Sequence, residues 1–343
     1  MFTLRQYLLA LLDSRGLTRT LGEIDVCRDE QGRPCFSAGN SAAVFRIRLG
    51  GRIRSLRCYL RPMRHLKEIY GQRLLEKELY LHTSPETGVW VDTVLGNWIE
   101  GSTLHETVAQ AAALRDRESL QILVRLFDRL ALALVTDDRA HGDLKPENII
   151  VGDDGTLCPI DFDASYLPAF AGEISPELGT AAYQHPARTA ADFDERIDDY
   201  PAALISTALH ALAEDPTLWD RYGSSDGLLY TPQRIASDPA YRETLALFEK
   251  RGMAVQYRIA QLLTAPTLRL FGLAELLAEA VREKPAARSG TEAETPELFV
   301  EHGRWSGSSS RRSTTTGSTS PRGWPPFSSA ARGTTSTRRA ARA

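Results

Sequence analysis

The sequence predicts an α+β fold in two parts, a small antiparallel sheet followed by a larger set of helices. Three observations carry this. Residues 42–49 and 53–60 are β-type runs joined by Gly50-Gly51, a hairpin signal. The pattern changes character at Glu100-Gly101. Beyond that point, residues 120–135 set Leu120, Leu123, Leu126, Phe127, Leu130 and Leu134 on one helical face.

The elements follow in order. Residues 3–12 have helical spacing, with Leu4, Tyr7, Leu8, Leu11 and Leu12 on one side. After the hairpin, a charged stretch from about Arg64 to Leu79 reads as a helix, and residues 89–98 read as a strand. Helical segments recur at 200–213, 241–250 and 256–283. Between them, 141–190 is loop-rich and holds two short apolar strands, 149–151 and 157–160.

Composition narrows the class. The chain has 343 residues, 42% hydrophobic and 25% charged, which is ordinary for a globular protein with a large core. Charge is unevenly spread. Residues 302–343 carry eight Arg and no Lys, Asp or Glu, whereas 1–301 hold 33 basic and 44 acidic residues. The terminal stretch is mostly Ser, Thr, Arg, Gly, Ala and Pro, so disorder is expected there. It reads as a flexible basic tail or as out-of-frame sequence of a GC-rich gene. No Lys and no organised aromatics accompany its Arg, so a nucleic-acid-binding arm is not expected. Cys27, Cys35, Cys58 and Cys158 show no metal or redox spacing and are expected to be free thiols. The apolar run at the start is short and broken by Asp13 and Arg15, which speaks against a signal peptide. No apolar run approaches the roughly 18 residues that span a bilayer. A cytoplasmic protein is expected.

The chemistry lies in His141-Gly-Asp-Leu-Lys-Pro-Glu-Asn148, followed thirteen residues later by Asp161 in Ile160-Asp-Phe-Asp163. Phosphoryl transfer asks a protein to position groups and to neutralise charge. Asp143 can orient an attacking hydroxyl and accept its proton. Lys145 can steady the transferred group. Asn148 and Asp161 supply the hard oxygens that Mg2+ prefers. The two short strands form a hairpin that returns Asp161 to Asn148.

These residues resemble the catalytic loop and the metal-binding D-F-G segment of the protein-kinase superfamily, with D-F-D in place of D-F-G. Further matches follow in order. Gly179-Thr-Ala-Ala-Tyr183 with His185-Pro186 resembles the end of an activation segment, whose Thr180 would contact Asp143 and Lys145. Ile197-Asp198-Asp-Tyr200 resembles the start of the next large helix. Its Asp198 would bond the catalytic-loop backbone, although an N-capping Asp is equally natural there. Upstream, Ser37-Ala-Gly39-Asn-Ser-Ala-Ala-Val44 resembles a Gly-rich loop that keeps only Gly39, with Val44 capping the adenine. Trp98-Ile-Glu100-Gly101 resembles the hinge.

The resemblance implies a two-lobed protein-kinase-like fold over roughly residues 20–280. Residues 1–97 would form an N-terminal helix and a small antiparallel β-sheet N-lobe, 98–102 the hinge, 103–283 a larger helical C-lobe, and 284–343 a low-complexity tail. It implies ATP and Mg2+ as cofactors and a protein substrate with a Ser or Thr hydroxyl. A pseudokinase scaffold and a small-molecule kinase share the same fold.

Four departures stand out. Arg57, in Ser55-Leu-Arg57, takes the place of the phosphate-anchoring lysine and would reach the phosphates or pair with Glu68 or Glu76. Gly142 replaces the Arg before Asp143, which implies activity without an activation-loop phosphate. Asp163 replaces Gly and is expected to add negative charge near the metal site. Ala187 replaces Glu and would remove an ion pair that braces the activation segment.

Overall fold

The computed structural model describes residues 1–282. The tail expected at 284–343 lies outside the described residues.

Helix α1 (Leu4–Leu12) opens on a capping box. The Thr3 hydroxyl accepts from the Gln6 N–H, and the Gln6 side chain accepts from the Thr3 N–H. The inner face of α1 is the expected one at Leu4, Tyr7, Leu8 and Leu11, which pack into the core under the sheet; Leu12 is exposed instead, and Ala10 is buried in addition. Next come β1 (Asp25–Val26), β2 (Phe36–Ala38), β3 (Ala42–Leu49) and β4 (Arg52–Tyr59). Gly50 and Gly51 both take positive φ, which lets β3 turn back into β4 in two residues.

The charged stretch after β4 departs from the helix expected over Arg64 to Leu79. Only α2 (Leu66–Tyr70) is α-helical; a 3-10 turn, Gly71–Arg73, then leads into β5 (Leu74–His82). A bulge between Leu75 and Leu79 disturbs the two-residue alternation of β5, which hid the strand in the sequence. Pairing with β6 (Gly88–Asn97) buries Leu79 and Leu81 fully. That burial, about 1.5–3 kcal/mol for each leucine, outweighs the modest helix propensity of Glu76 and Lys77.

The strands form one curled antiparallel sheet, in the order β1-β3-β4-β6-β5 with β2 added to β3. Ala43, Phe45, Ile47, Leu56 and Cys58 lie on the face packed with Tyr7 and Leu11 of α1. On the opposite face, Val44, Arg57 and Val94 stand in one row across β3, β4 and β6.

The second half is mainly helical. The short β7 (Gly101–Thr103) leads into α3 (Leu104–Ala113), again through a capping box, Thr103 with Glu106. In α4 (Arg117–Thr136) all six leucine and phenylalanine positions of the expected face are buried. Strands β8 (Ile149–Gly152) and β9 (Leu157–Pro159) make the expected hairpin and join β7 in a second, three-stranded sheet. Then follow α5 (Asp199–Glu214), α6 (Leu218–Tyr222), α7 (Pro239–Arg251), α8 (Ala254–Leu262) and α9 (Leu273–Arg282). The single helix expected at 256–283 is thus two. Pro266 has no N–H to donate and disfavours a helical Ala265, so the chain breaks there before α9 starts. Helices α4, α5, α8 and α9 share one apolar core, and α1 and the sheet enclose another.

Asp199, the first residue of α5, is buried and accepts the Leu270 N–H at 3.2 Å. Burial raises its pKa to about 7, with Leu270 and Arg196 opposing. The folded state therefore keeps a proton that the unfolded chain loses near pH 3.9. Its stabilisation is full below that pH and is lost as pH rises to about 7. Wild type should melt at a lower temperature at pH 8 than at pH 5 by more than Asp199→Asn does. Parallel pH profiles of the two melting curves would sink this expectation.

All four cysteines are free among the described residues, and no described helix is long and apolar enough to cross a membrane.

Candidate active site

The loop between α4 and β8 is held from below by Asp198. This carboxylate is 1% exposed and accepts the N–H groups of His141 and, at 3.0 Å, Gly142. It stands at the N-cap of α5 without capping it, so of its two expected roles it takes the one at the loop. The His141 ring packs on Phe162 and meets the Ile160 carbonyl at 2.8 Å. Gly142 has φ +81°, and the Arg188 guanidinium donates to its carbonyl at 3.1 Å.

This scaffold presents a closed ring of side chains. Asp143 accepts the Thr180 N–H at 2.6 Å on one oxygen and the Asn148 amide at 3.1 Å on the other. Lys145 Nζ lies 3.2 Å from the same carboxylate and donates to Thr180 Oγ1 at 2.8 Å. The Asn148 Nδ2 also donates to the Asp143 carbonyl at 2.9 Å, so its amide oxygen is turned away from Asp143.

The β8–β9 hairpin closes with the Ile160 N–H on the Asn148 carbonyl at 2.9 Å, and Asp161 is the next residue. Asp161 is held in the left-handed region at φ +67°, uncommon for a non-glycine residue and frequent at functional sites. Phe162 then packs among Ala42, Tyr59, Tyr70 and Val94 beneath the sheet.

Arg57 meets this turn from β4. Its guanidinium pairs with Asp161 and makes two bonds to Asp163, at 3.0 and 2.7 Å. The other oxygen of Asp163 accepts the hydroxyls of Tyr59 at 3.1 Å and Tyr70 at 2.6 Å. Burial opposes the Arg57 charge, but Tyr70, Asp161 and Asp163 outweigh it and hold the guanidinium above its ordinary range. Burial pushes both tyrosines up, which keeps them as donors.

Two expectations change here. Neither Glu68, which is exposed, nor Glu76, which pairs with Lys67, reaches Arg57, because α2 ends before it can carry a carboxylate inward. Asp163 does not leave free negative charge, since four hydrogen bonds take it up. Glu177 pairs with Arg61, and Glu173 lies 2.9 Å from the His65 ring nitrogen, so both carboxylates contact the stretch after β4.

The remaining sequence-selected residues lie along the sheet and the connector. Val44 stands opposite Arg57. The Gly39 N–H donates to the Ala42 carbonyl at 2.9 Å, closing the β2–β3 turn. Trp98 and Glu100 both engage Arg46, by stacking at 5.6 Å and by an ion pair. Sequence reading missed Tyr59, Tyr70, Arg46 and Arg188; a lone aromatic or arginine carries no spacing signal.

The donor set suits Mg2+. An amide oxygen of Asn148 and one carboxylate oxygen of Asp161 remain outside the bonds just described. Mg2+ is commonly held by one or two carboxylates together with substrate phosphates and waters. The described residues contain no group of three or more His, Cys, Asp or Glu side chains that could hold a metal by themselves.

No protein-family model matches the chain. It is similar to CBL-interacting protein kinase 17 from Oryza sativa subsp. japonica, 28% identical over 172 residues that cover 48% of this chain and 35% of that protein. It is also similar to serine/threonine-protein kinase PknL from Mycobacterium tuberculosis (strain ATCC 25618 / H37Rv), 34% identical over 113 residues, 31% of this chain and 27% of that one. The chain spans about a third or less of the length of these curated relatives. These partial likenesses indicate a kinase-like relationship, and the mixed α+β fold with its curled sheet is compatible with it.

Proposed function

We propose that the chain is an ATP- and Mg2+-dependent phosphotransferase of two lobes that acts on Ser or Thr hydroxyls of a protein substrate. The observation that carries this reading is the ring of Asp143, Lys145, Asn148 and Thr180. Asp143 orients the incoming hydroxyl and takes its proton. Lys145, already beside Asp143, turns its charge toward the transferred phosphoryl. Thr180 fixes Asp143 through its N–H and Lys145 through its hydroxyl, so both groups are pre-positioned. Asn148 and Asp161 would hold Mg2+, which when bound neutralises phosphate charge. Val44, Gly39 and the Trp98–Glu100 connector would border the nucleotide. The 179–183 segment beside Asp143 favours a peptide over a small molecule.

One observation favours a second reading, a nucleotide-binding module without turnover: the Arg57 guanidinium occupies part of the Asp161 carboxylate. Incubation of the full chain with labelled ATP, Mg2+ and generic protein acceptors separates the two. Label on protein, lost in Asp143→Ala, is the expected result. Nucleotide binding with no label on any acceptor would establish the second reading, and label on aminoglycosides or choline alone would establish a small-molecule kinase.

A further inference from the structure

Asp163 is 3% exposed, stands two residues from Asp161, and has a bonding partner for every hydrogen bond it needs. Both of its bonds to Arg57 fall on Oδ2, and the two tyrosine hydroxyls fall on Oδ1. Tyr59 comes from β4, as Arg57 does, and Tyr70 from α2, so the carboxylate is fixed by two elements. Arg57 is thereby gripped through Nε and Nη2, and only Nη2 extends to Asp161.

We infer that Asp163 is a positioning residue for the phosphoryl-transfer site, acting through Arg57 on Asp161. This rests on the function proposed above. The physical reason is competition for one guanidinium. A planar guanidinium binds a carboxylate best through two parallel N–H bonds. With the Asp163 carboxylate replaced by a neutral side chain, Arg57 would turn its fork onto Asp161, the other carboxylate bonded to it among the described residues, and take both oxygens. With Asp163 in place, the fork is used there, and one Asp161 oxygen stays available. A lysine could not divide its contacts this way, because it is a flexible point charge without a fixed fork. The two departures from the kinase pattern, Arg57 and Asp163, thus form one device.

The test uses the full chain with Asp163→Asn, Arg57→Met and the double variant. Phenylglyoxal labelling of Arg57, followed by peptide mass spectrometry, reads the grip directly. Arg57 should label more slowly than the exposed Arg52 in wild type, and faster in Asp163→Asn than in wild type, because its fork then sits on Asp161, whose side chain is 39% exposed against 3% for Asp163. In phosphotransfer, loss of a hydrogen-bonded charge partner should lower kcat about 10- to 100-fold in Asp163→Asn. The double variant should be no slower than the slower single one, because both act through the same contact. Equal Arg57 labelling in wild type and Asp163→Asn, or multiplicative losses in the double variant, would overturn the inference. If wild type transfers no phosphate, the function fails and labelling alone decides the role of Asp163. Should Asp163→Asn lose cooperative melting, Asp163→Ser, smaller and neutral, takes its place.

Discussion

Replacing Asp143 with Ala is expected to lower phosphate incorporation by about 10²–10⁴-fold, the range that a positioned general base contributes. The structure explains why the loss should be confined to chemistry. Asn148 keeps its bond to the Asp143 backbone carbonyl, and Lys145 keeps Thr180 Oγ1. Only the Thr180 N–H loses its partner outright. One orphaned donor costs about 1–3 kcal/mol, so melting should fall by roughly 2–12 °C. Asp143→Asn is the sharper variant, because it keeps the shape while losing the proton acceptor. It should be nearly as inactive as Asp143→Ala, with nucleotide affinity within a few-fold of wild type. Parallel measurement of label incorporation, nucleotide binding and melting temperature checks all three. Wild-type incorporation by either variant would remove Asp143 from the mechanism.

The part of the site that was legible in the sequence is the part encoded locally. His141 to Asn148 is one uninterrupted segment, and the hairpin that returns the chain to Asp161 is marked by two short apolar runs. Helix α4 was equally plain, because six large apolar residues, Leu120 to Leu134, repeat at helical spacing over about four turns. What stayed hidden depends on partners far away in the chain. Arg57 and Asp163 are 106 residues apart, and nothing near either one names the other. The tyrosine hydroxyls on Asp163 reach it from α2 and β4, and tyrosine reads as a core residue wherever it falls. The error over β5 has the same origin. Glu76 and Lys77 suit an exposed helix by propensity, and the burial of Leu79 and Leu81 against β6 decided otherwise. The break between α8 and α9 is different, since Pro266 was a local signal that the apolar periodicity around it overrode.

Gly142→Ala is expected to be among the most destabilising single methyl additions to the described fold. Gly142 has φ +81°, a region that costs an L-residue about 1–2 kcal/mol. A Cβ there would also press into the Ala164 carbonyl oxygen, which belongs to backbone and has no flexible end to swing away. Overpacking of that kind adds about 1–3 kcal/mol. The loop cannot drift to relieve it, because Asp198 holds the Gly142 N–H and Arg188 holds its carbonyl. Together these predict a loss of about 2–5 kcal/mol and a fall in melting temperature of roughly 5–20 °C. Gly39→Ala provides the contrast, since a Cβ there meets only the Ala42 carbonyl at 4.0 Å. Its melting temperature should stay close to wild type. If Gly142→Ala melts no lower than Gly39→Ala, the close approach to Ala164 is not what selects glycine. If it does melt lower, the glycine before Asp143 follows from the backbone path itself. An arginine could not occupy this position without moving the turn that carries Asp161 and Asp163.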